Sequence, residues 1–373
     1  MLRTPFYDPT LTYEENYEDG PFGAFKDKKI YKQKGKPQHN FLGQKVFLPF
    51  GIPAGPLLNS KFVKSAFMKG FDVCVYKTVR ANVFPCHAFP NVLAVVEGGD
   101  LILKKLDKPI VVGTDYKDPI SITNSFGVPS RKPEIWQEDV KKTIRSAGSG
   151  QVMILSFMGT VKKDQTQKKF IDDYILAARL AHETGAKILE ANLSCPNIGN
   201  EGLVCYNLEV TKKVTEGIRK VIDNTPLILK VGYYKNNGDL KKLAEIANEY
   251  ANDIAGINTM QAPVVDSNGE QALPGPNRLR SGLCGAGIKW AGLDFVKKLK
   301  KIKDKNNYKF SITGVGGVTK AEDYFEYRAA GADAVMSATG AMWNPLLAQE
   351  IESGTKLQLA CLRNVKELEH ITN

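Results

Sequence analysis

The chain has 373 residues, of which 43% are hydrophobic and 24% are charged. This composition is typical of a folded globular protein and argues against disorder or a fibrous repeat. No stretch approaches the roughly 18 consecutive apolar residues that a membrane span needs. The N-terminal residues also lack the apolar core of a signal peptide. We therefore expect a cytoplasmic protein without a membrane partner.

The formal net charge of +11 comes from 51 Lys and Arg against 40 Asp and Glu. The lysines are spread over helix-like segments such as residues 295–309, without an arginine-rich arm. A solvated basic surface is therefore a better interpretation than a nucleic-acid site. The six cysteines and four histidines form no C-x-x-C pair and no metal-ligand spacing. We expect reduced thiols, no bound metal and no nucleic-acid partner.

The chain begins with an aromatic and charged extension, residues 1–44, which we expect to wrap the rest of the protein or to lie at a subunit contact. From residue 45 to residue 373, short β-branched runs alternate with amphipathic helical patterns. This alternation indicates a parallel sheet with crossover helices. The candidate strands are residues 45–51, 71–78, 152–158, 187–193, 226–232, 253–259, 309–317 and 333–340. Eight such units predict an α/β fold in which residues 45–373 form a (β/α)8 TIM barrel.

The helical pattern at residues 168–186 ends at Gly185. Its expected apolar stripe consists of Ile171, Ile175, Leu176, Leu180 and Ala181. Two connections, residues 79–150 and 260–290, are too long for simple loops between a strand and a helix. Barrel enzymes build their active sites from loops at the carboxyl ends of the strands, so these insertions predict an active site there.

The last two candidate strands end in glycine-containing stretches, "ITGVGGV" (residues 312–318) and "SATGAM" (residues 337–342). Glycines let backbone N–H groups approach an anion, and each stretch runs into a helical pattern whose N-terminus favours negative charge. The loops after strands seven and eight are the usual phosphate site of such barrels. We therefore expect a phosphorylated cofactor or substrate.

Lysines and asparagines accumulate where strands end. Lys77 and Lys230 close otherwise apolar runs, a position that suits a contact with an anion. Four asparagines lie at strand ends or in the connections, the last of them followed by Thr259: Asn124, Asn192, Asn197 and Asn258. Because an amide offers both a donor and an acceptor, this group suggests a planar heterocycle with imide or amide edges.

Cys195, in "NLSCPN", lies just past the fourth candidate strand, where a structural cysteine is not expected. A nucleophilic cysteine usually has a histidine partner, and His87 in the first insertion is the only conceivable one. A cysteine that removes a proton from a carbon acid needs no such partner. We therefore interpret Cys195 as a general base.

The motifs "NSFGVPS", "NLSCPN", "LKVG", "INT" and "TGVGGV", in this order, resemble those of the dihydroorotate dehydrogenases, specifically the soluble class 1 enzymes. The resemblance covers residues 45–355 and is most specific in "NLSCPN". It implies an FMN-containing (β/α)8 barrel that oxidises dihydroorotate to orotate in pyrimidine (UMP) synthesis.

The resemblance also implies residue roles. Cys195 would remove a proton from C5 of the substrate while a hydride leaves C6 for the flavin, and Lys230 would lie near the flavin N1 and O2 edge. The implied substrate-binding residues are Lys77, Asn124, Gly127, Val128, Asn192, Asn197, Asn258 and Thr259. The implied FMN-binding residues are Ala54, Gly55, Lys77, Thr78, Asn124, Asn192, Lys230, Asn258, Gly287, Gly316, Gly317, Ala338 and Thr339.

Two alternative functions stay open at this point. The flavin barrel of dihydropyrimidine dehydrogenases shares "NLSCP" and the Asn-Thr pair but has histidine where this chain has Asn197, so dihydrouracil or dihydrothymine is the alternative substrate. The second alternative is a barrel that has lost catalysis and serves as an interaction protein. Retention of Cys195 and of both lysines argues against this alternative. The electron acceptor would be fumarate or a separate electron-transfer subunit, and a homodimer is expected from the soluble relatives.

Overall fold

The computed structural model of the chain describes residues 2–162, 164–194, 203–276 and 278–355. Within these ranges the strands are β1 (His39–Phe41), β2 (Gln44–Val46), β3 (Phe50–Ile52), β4 (Val73–Val79), β5 (Ala94–Val95), β6 (Ile110–Gly113), β7 (Ser121–Asn124), β8 (Val152–Phe157), β9 (Ile188–Asn192), β10 (Leu227–Val231), β11 (Asp253–Gly256), β12 (Met260–Val265), β13 (Arg280–Gly285), β14 (Ser311–Val315) and β15 (Ala334–Met336).

The helices in the same ranges are α1 (Tyr13–Asp19), α2 (Ser60–Met68), α3 (Leu103–Leu106), α4 (Pro133–Ser146), α5 (Gln167–His182), α6 (Leu208–Arg219), α7 (Asn237–Tyr250), α8 (Lys289–Asn306), α9 (Ala321–Ala329) and α10 (Thr339–Trp343). A further helix covers residues 347–355. Among the described residues, no helix combines the length and the apolar character that crossing a bilayer requires.

Eight parallel strands close into a barrel in the order β3-β4-β8-β9-β10-β11-β14-β15. The predicted TIM barrel is thereby confirmed, and each candidate run overlaps one of its strands. The first run was only partly right, because residues 45–51 contain the end of β2 and the start of β3. Pro49 lies between these two strands and has no N–H for a sheet ladder.

The two insertions fold together into a second sheet of order β12-β13-β7-β5-β6, in which β12 also pairs with β6. Strands β5 to β7 come from residues 79–150, and β12 and β13 come from residues 260–290. Both insertions follow barrel strands, so the second sheet stands over the carboxyl ends of the barrel.

The barrel interior is filled by alternating side chains of its strands, such as Val75 of β4 and Ile154 of β8, because successive residues of a strand face opposite sides. Phe41 and Val46 of the β1–β2 hairpin belong to the same apolar cluster. The last part of the N-terminal extension therefore covers the barrel interior on the side where β3 begins.

Helix α5 occupies the predicted segment, with Thr166 as its N-cap and Gly185, at φ 79°, just beyond its end. The predicted apolar stripe was partly wrong, since Leu176 is 42% exposed. The buried face consists of Tyr174, Ala177, Ala178 and Ala181. This face lies against the barrel, where the Tyr174 hydroxyl donates a hydrogen bond to the carbonyl of Asn192 (2.8 Å).

Candidate active site

A cavity with an empty volume of about 1210 Å³, its open mouth included, lies at the carboxyl ends of the barrel strands. Ile122 and Thr123 of β7 and Cys284 of β13 carry its wall into the second sheet. A pocket for one drug-sized ligand measures roughly 300–1,000 Å³. The cavity therefore has room for a cofactor together with a small substrate.

Most residues singled out in the sequence meet in this cavity. Its wall includes Ala54, Gly55, Lys77, Thr78, Asn124, Gly127, Val128, Asn192, Lys230, Asn258, Thr259, Gly316, Gly317, Ala338 and Thr339. Cys195 and Asn197 lie outside the described residues. The residues of this wall that end barrel strands converge on one cavity because all strands of a parallel barrel end at the same edge.

Among the predicted site residues that the structure describes, Gly287 does not line the cavity. Its N–H donates to the Ser121 hydroxyl (2.9 Å), and its carbonyl accepts from the N–H of Leu101 (2.8 Å). Gly285 and Ile288 line the cavity in its place. A glycine-rich stretch such as "CGAG" does not reveal which of its glycines faces a ligand.

The amides of Asn192 and Asn258 are joined through Ser194. Asn192 Oδ1 accepts from the Ser194 N–H and hydroxyl (3.3 Å each), and Asn258 Nδ2 donates to the Ser194 hydroxyl (2.8 Å). Asn192 Nδ2 in turn donates to the Thr78 hydroxyl (3.3 Å). The residue that precedes Cys195 is thus anchored between two amides of the cavity wall.

Lys77 and Lys230 are both nearly buried, with 8% and 3% exposure, and both line the cavity. No carboxylate of the described residues lies within 4.0 Å of the Lys230 ammonium as an ion-pair partner. Burial lowers the pKa of Lys230, and the nearby Glu190 opposes that shift. Because a buried ammonium is costly without a partner, this end of the cavity favours an anionic or electron-rich ligand.

The two glycine loops present free backbone donors. Gly316 and Gly317 have φ angles of 124° and 71°, which favour glycine. Among the described residues, the N–H groups of Gly317 and Gly340 have no hydrogen-bond partner. Unpaired N–H groups at a cavity wall are suited to a phosphate. Elsewhere on the cavity wall, a Cβ on Gly55 would meet nothing within 4 Å, which leaves space for a planar ring.

Residues 124–130, the last residue of β7 and the loop after it, are held by a buried arginine, Arg80, that is not among the predicted site residues. Arg80 Nε donates to the carbonyl of Val128 (2.9 Å), and Nη2 donates to that of Gly127 (3.1 Å). Val128 has a φ of 56°, a strained value for a β-branched residue. Such strain persists only where the surroundings fix it, often at ligand sites. We call residues 124–130 the substrate loop.

His87, the conceivable partner of a nucleophile, does not line the cavity. Its ring lies behind the substrate loop, since a Cβ on Gly127 would approach His87 Nε2 to 2.4 Å. Burial lowers the pKa of His87, which favours its neutral form. The geometry gives His87 a packing role behind Gly127.

Comparison with known proteins identifies the family. The family model described as "Dihydroorotate dehydrogenase" matches residues 107–359. The dihydroorotate dehydrogenase of Dictyostelium discoideum is 38% identical over 95% of this chain and 98% of its own length. The catalytic subunit of dihydroorotate dehydrogenase B (NAD(+)) from Thermodesulfovibrio yellowstonii is 30% identical over 74% of this chain and 84% of its own.

Dihydroorotate dehydrogenase A (fumarate) of Limosilactobacillus reuteri is 28% identical over 48% of this chain and 56% of its own. A crystal structure of DHODH from Eimeria tenella, in complex with ferulenol, has a similar fold, with a TM-score of 0.68 and 17% identity over 88% of this chain and 87% of that one. The chain therefore belongs to the dihydroorotate dehydrogenase family, FMN-dependent oxidoreductases that convert dihydroorotate to orotate in pyrimidine biosynthesis.

Proposed function

We propose that Cys195 is the general base of dihydroorotate oxidation. It takes the proton from C5 of dihydroorotate, and the electron pair left on C5 forms the C5–C6 double bond as a hydride leaves C6. Bound FMN supplies the acceptor for that hydride. The observation that carries this role is the anchoring of Ser194, one residue before Cys195, between Asn192 and Asn258.

We assign the FMN phosphate to the two glycine loops, where Gly316, Gly317, Ala338 and Thr339 line the cavity. The unpaired N–H groups of these loops support that assignment. Lys230 would lie beside the flavin ring, where its positive charge would favour electron-rich states of the cofactor. The remaining contacts with the flavin ring are assigned to the other predicted FMN-binding residues: Ala54, Gly55, Lys77, Thr78, Asn124, Asn192 and Asn258. Gly287 has no place in this assignment because it lies outside the cavity wall.

We assign the substrate to the asparagine side of the cavity. The amides donate to and accept from the imide edges of the pyrimidine ring, and Lys77 and the substrate loop face its carboxylate. The substrate-binding set is Lys77, Asn124, Gly127, Val128, Asn192, Asn197, Asn258 and Thr259. The convergence of the described members on one cavity supports the assignment, and the relatives name dihydroorotate rather than the alternative, dihydrouracil or dihydrothymine.

We propose fumarate as the electron acceptor, bound in the same cavity after orotate leaves. Fumarate carries carboxylates, and the buried Lys77 can bind one of them as it would bind the carboxylate of dihydroorotate. The test is orotate formation by the purified chain, without oxygen and without a second subunit. Turnover with fumarate is expected, whereas turnover only with NAD after addition of an electron-transfer subunit would contradict it.

A cytoplasmic location and a homodimer complete the proposal. They rest on the resemblance to the soluble class 1 enzymes. Sedimentation of the purified protein over a range of concentrations tests the dimer, and a monomer at every concentration would contradict it.

A further inference from the structure

The N-terminal segment, residues 2–25, supplies two tyrosines to the cavity wall, although it precedes the part of the chain that the family model matches. Tyr7 and Tyr13 are 2% and 6% exposed. The segment is tied to the barrel by Phe6, whose N–H donates to the carbonyl of Met342 in α10 (3.1 Å). Both tyrosines therefore have fixed positions at the cavity.

Both rings pack on the substrate loop. The ring centroid of Phe126 lies 5.6 Å from that of Tyr7 and 6.1 Å from that of Tyr13, with interplanar angles of 90° and 64°. These are the edge-to-face arrangements that aromatic pairs prefer. Cys86 lies near both tyrosines and near Lys77. The tyrosines thus lie on the side of the cavity that holds Lys77 and the substrate loop.

The two phenol hydroxyls lack a hydrogen-bond partner among the described residues. A buried tyrosine hydroxyl usually has one, because a buried donor without a partner costs free energy. Burial raises the pKa of Tyr7 and of Tyr13, so both stay protonated and can donate. A ligand in the cavity would supply the missing acceptor.

We propose that Tyr7 and Tyr13 determine substrate specificity by donating hydrogen bonds to the carboxylate of the bound dihydropyrimidine. A carboxylate is the preferred acceptor because hydrogen bonds to charged groups are stronger than neutral ones. The proposal rests on the assignment of this cavity to dihydroorotate. It adds two ligand contacts that come from outside the barrel.

The test replaces each tyrosine by phenylalanine, which removes the hydroxyl and keeps the ring on Phe126. Tyr7→Phe and Tyr13→Phe, loaded with FMN, are titrated with orotate and with uracil, which has the same ring without the carboxylate. Each variant is expected to bind orotate on the order of 10-fold more weakly and to raise the KM for dihydroorotate, with kcat and FMN content unchanged. Uracil binding is expected to stay as in the wild type.

Tyr17→Phe is the matched control, since Tyr17 lies on the same helix, 6.2 Å from the Tyr13 ring, and does not line the cavity. Unchanged orotate affinity in the double variant Tyr7→Phe/Tyr13→Phe would overturn the proposal, as would equal losses for orotate and uracil. A wild-type protein that does not bind orotate would instead overturn the substrate assignment, and the proposal with it.

Discussion

Arg278 and Ser125, 153 positions apart in the sequence, are joined by two hydrogen bonds: Arg278 Nε donates to the Ser125 hydroxyl (3.1 Å) and Nη2 to its carbonyl (3.2 Å). Arg278 is 4% exposed. Its guanidinium also donates to the carbonyls of Ala88, Pro90 and Pro274. The substrate loop lies in the first insertion, and Arg278 lies in the second. One buried side chain therefore joins the substrate loop to the second insertion.

Replacing Arg278 by lysine should loosen the substrate loop. Lysine keeps the charge but has no planar fork of donors, so most of these carbonyls would lose their partner. Arg278→Lys is expected to weaken orotate binding about 10-fold and to lower the free energy of unfolding by about 1–3 kcal/mol. Orotate titration of the FMN-loaded protein and denaturant unfolding measure the two effects.

Arg280→Lys is the control, because Arg280 is exposed and its side chain donates a single hydrogen bond within the described part of the chain, to the carbonyl of Gln261 (3.1 Å). It is expected to behave as the wild type in both measurements. If Arg278→Lys is destabilised and still binds orotate with wild-type affinity, the loop does not depend on this arginine.

Gly317 tests the phosphate site. Its φ is 71°, and a Cβ at this position would lie 2.5 Å from the backbone nitrogen of Lys289. Gly317→Ala is therefore expected to shift the loop and to lower the FMN content of the purified protein several-fold. Gly331→Ala is the matched control, with φ 106° and a Cβ whose three nearest atoms would all belong to the flexible Lys300 side chain. Equal FMN content in the two variants would argue against this phosphate site.

Asp72 should make the stability of the fold depend on pH. The residue is fully buried, and its Oδ2 accepts hydrogen bonds from the N–H of Leu48 (2.7 Å) and from Gln33 Nε2 (3.1 Å). Burial raises its pKa from 3.8 to about 7. Between these values the native state binds a proton that the unfolded state has released, so this contribution to stability falls as pH rises.

Asp72→Asn removes that titration. Urea unfolding at about pH 5 and about pH 8 should show the wild type losing roughly 2–3 kcal/mol more than the variant over this range. Parallel pH profiles of the two proteins would show that Asp72 titrates normally in the native state.

The barrel and most of the cavity wall could be predicted from the sequence, because both depend on local patterns. β-branched runs separated by helical patterns identify the strands, and in a parallel barrel every strand end faces the same cavity. Lys77, Lys230 and Asn192 therefore meet there whatever the details of packing.

The parts that were missed depend on contacts between distant segments. Arg278 lies far after the substrate loop in the sequence and Tyr7 far before it, and no local pattern marks either residue. Arg80 directly follows β4, and its position at the carboxyl end of a barrel strand weakly indicates a place near the site. Gly287 does not line the cavity, whereas Gly285 does, because the turn geometry decides which backbone atoms of a glycine-rich stretch face the cavity.

Cys195→Ser tests the general base. A free thiol titrates near ~8.5 and a serine hydroxyl far higher, so flavin reduction by dihydroorotate should speed up toward that pH in the wild type. The variant is expected to keep FMN and orotate binding but to reduce its flavin much more slowly and to need a higher pH. Stopped-flow reduction across pH measures both proteins, and identical rates and profiles would remove Cys195 from the mechanism.

The central prediction is that this cavity holds FMN and that dihydroorotate is oxidised there. Its most direct test is the visible absorbance of the purified, FMN-loaded protein when dihydroorotate is added in the absence of oxygen, with dihydrouracil added to a parallel sample. The flavin band should bleach with dihydroorotate, persist with dihydrouracil, and return when fumarate is added. A band that persists with dihydroorotate, or that bleaches only with dihydrouracil, would contradict the assignment.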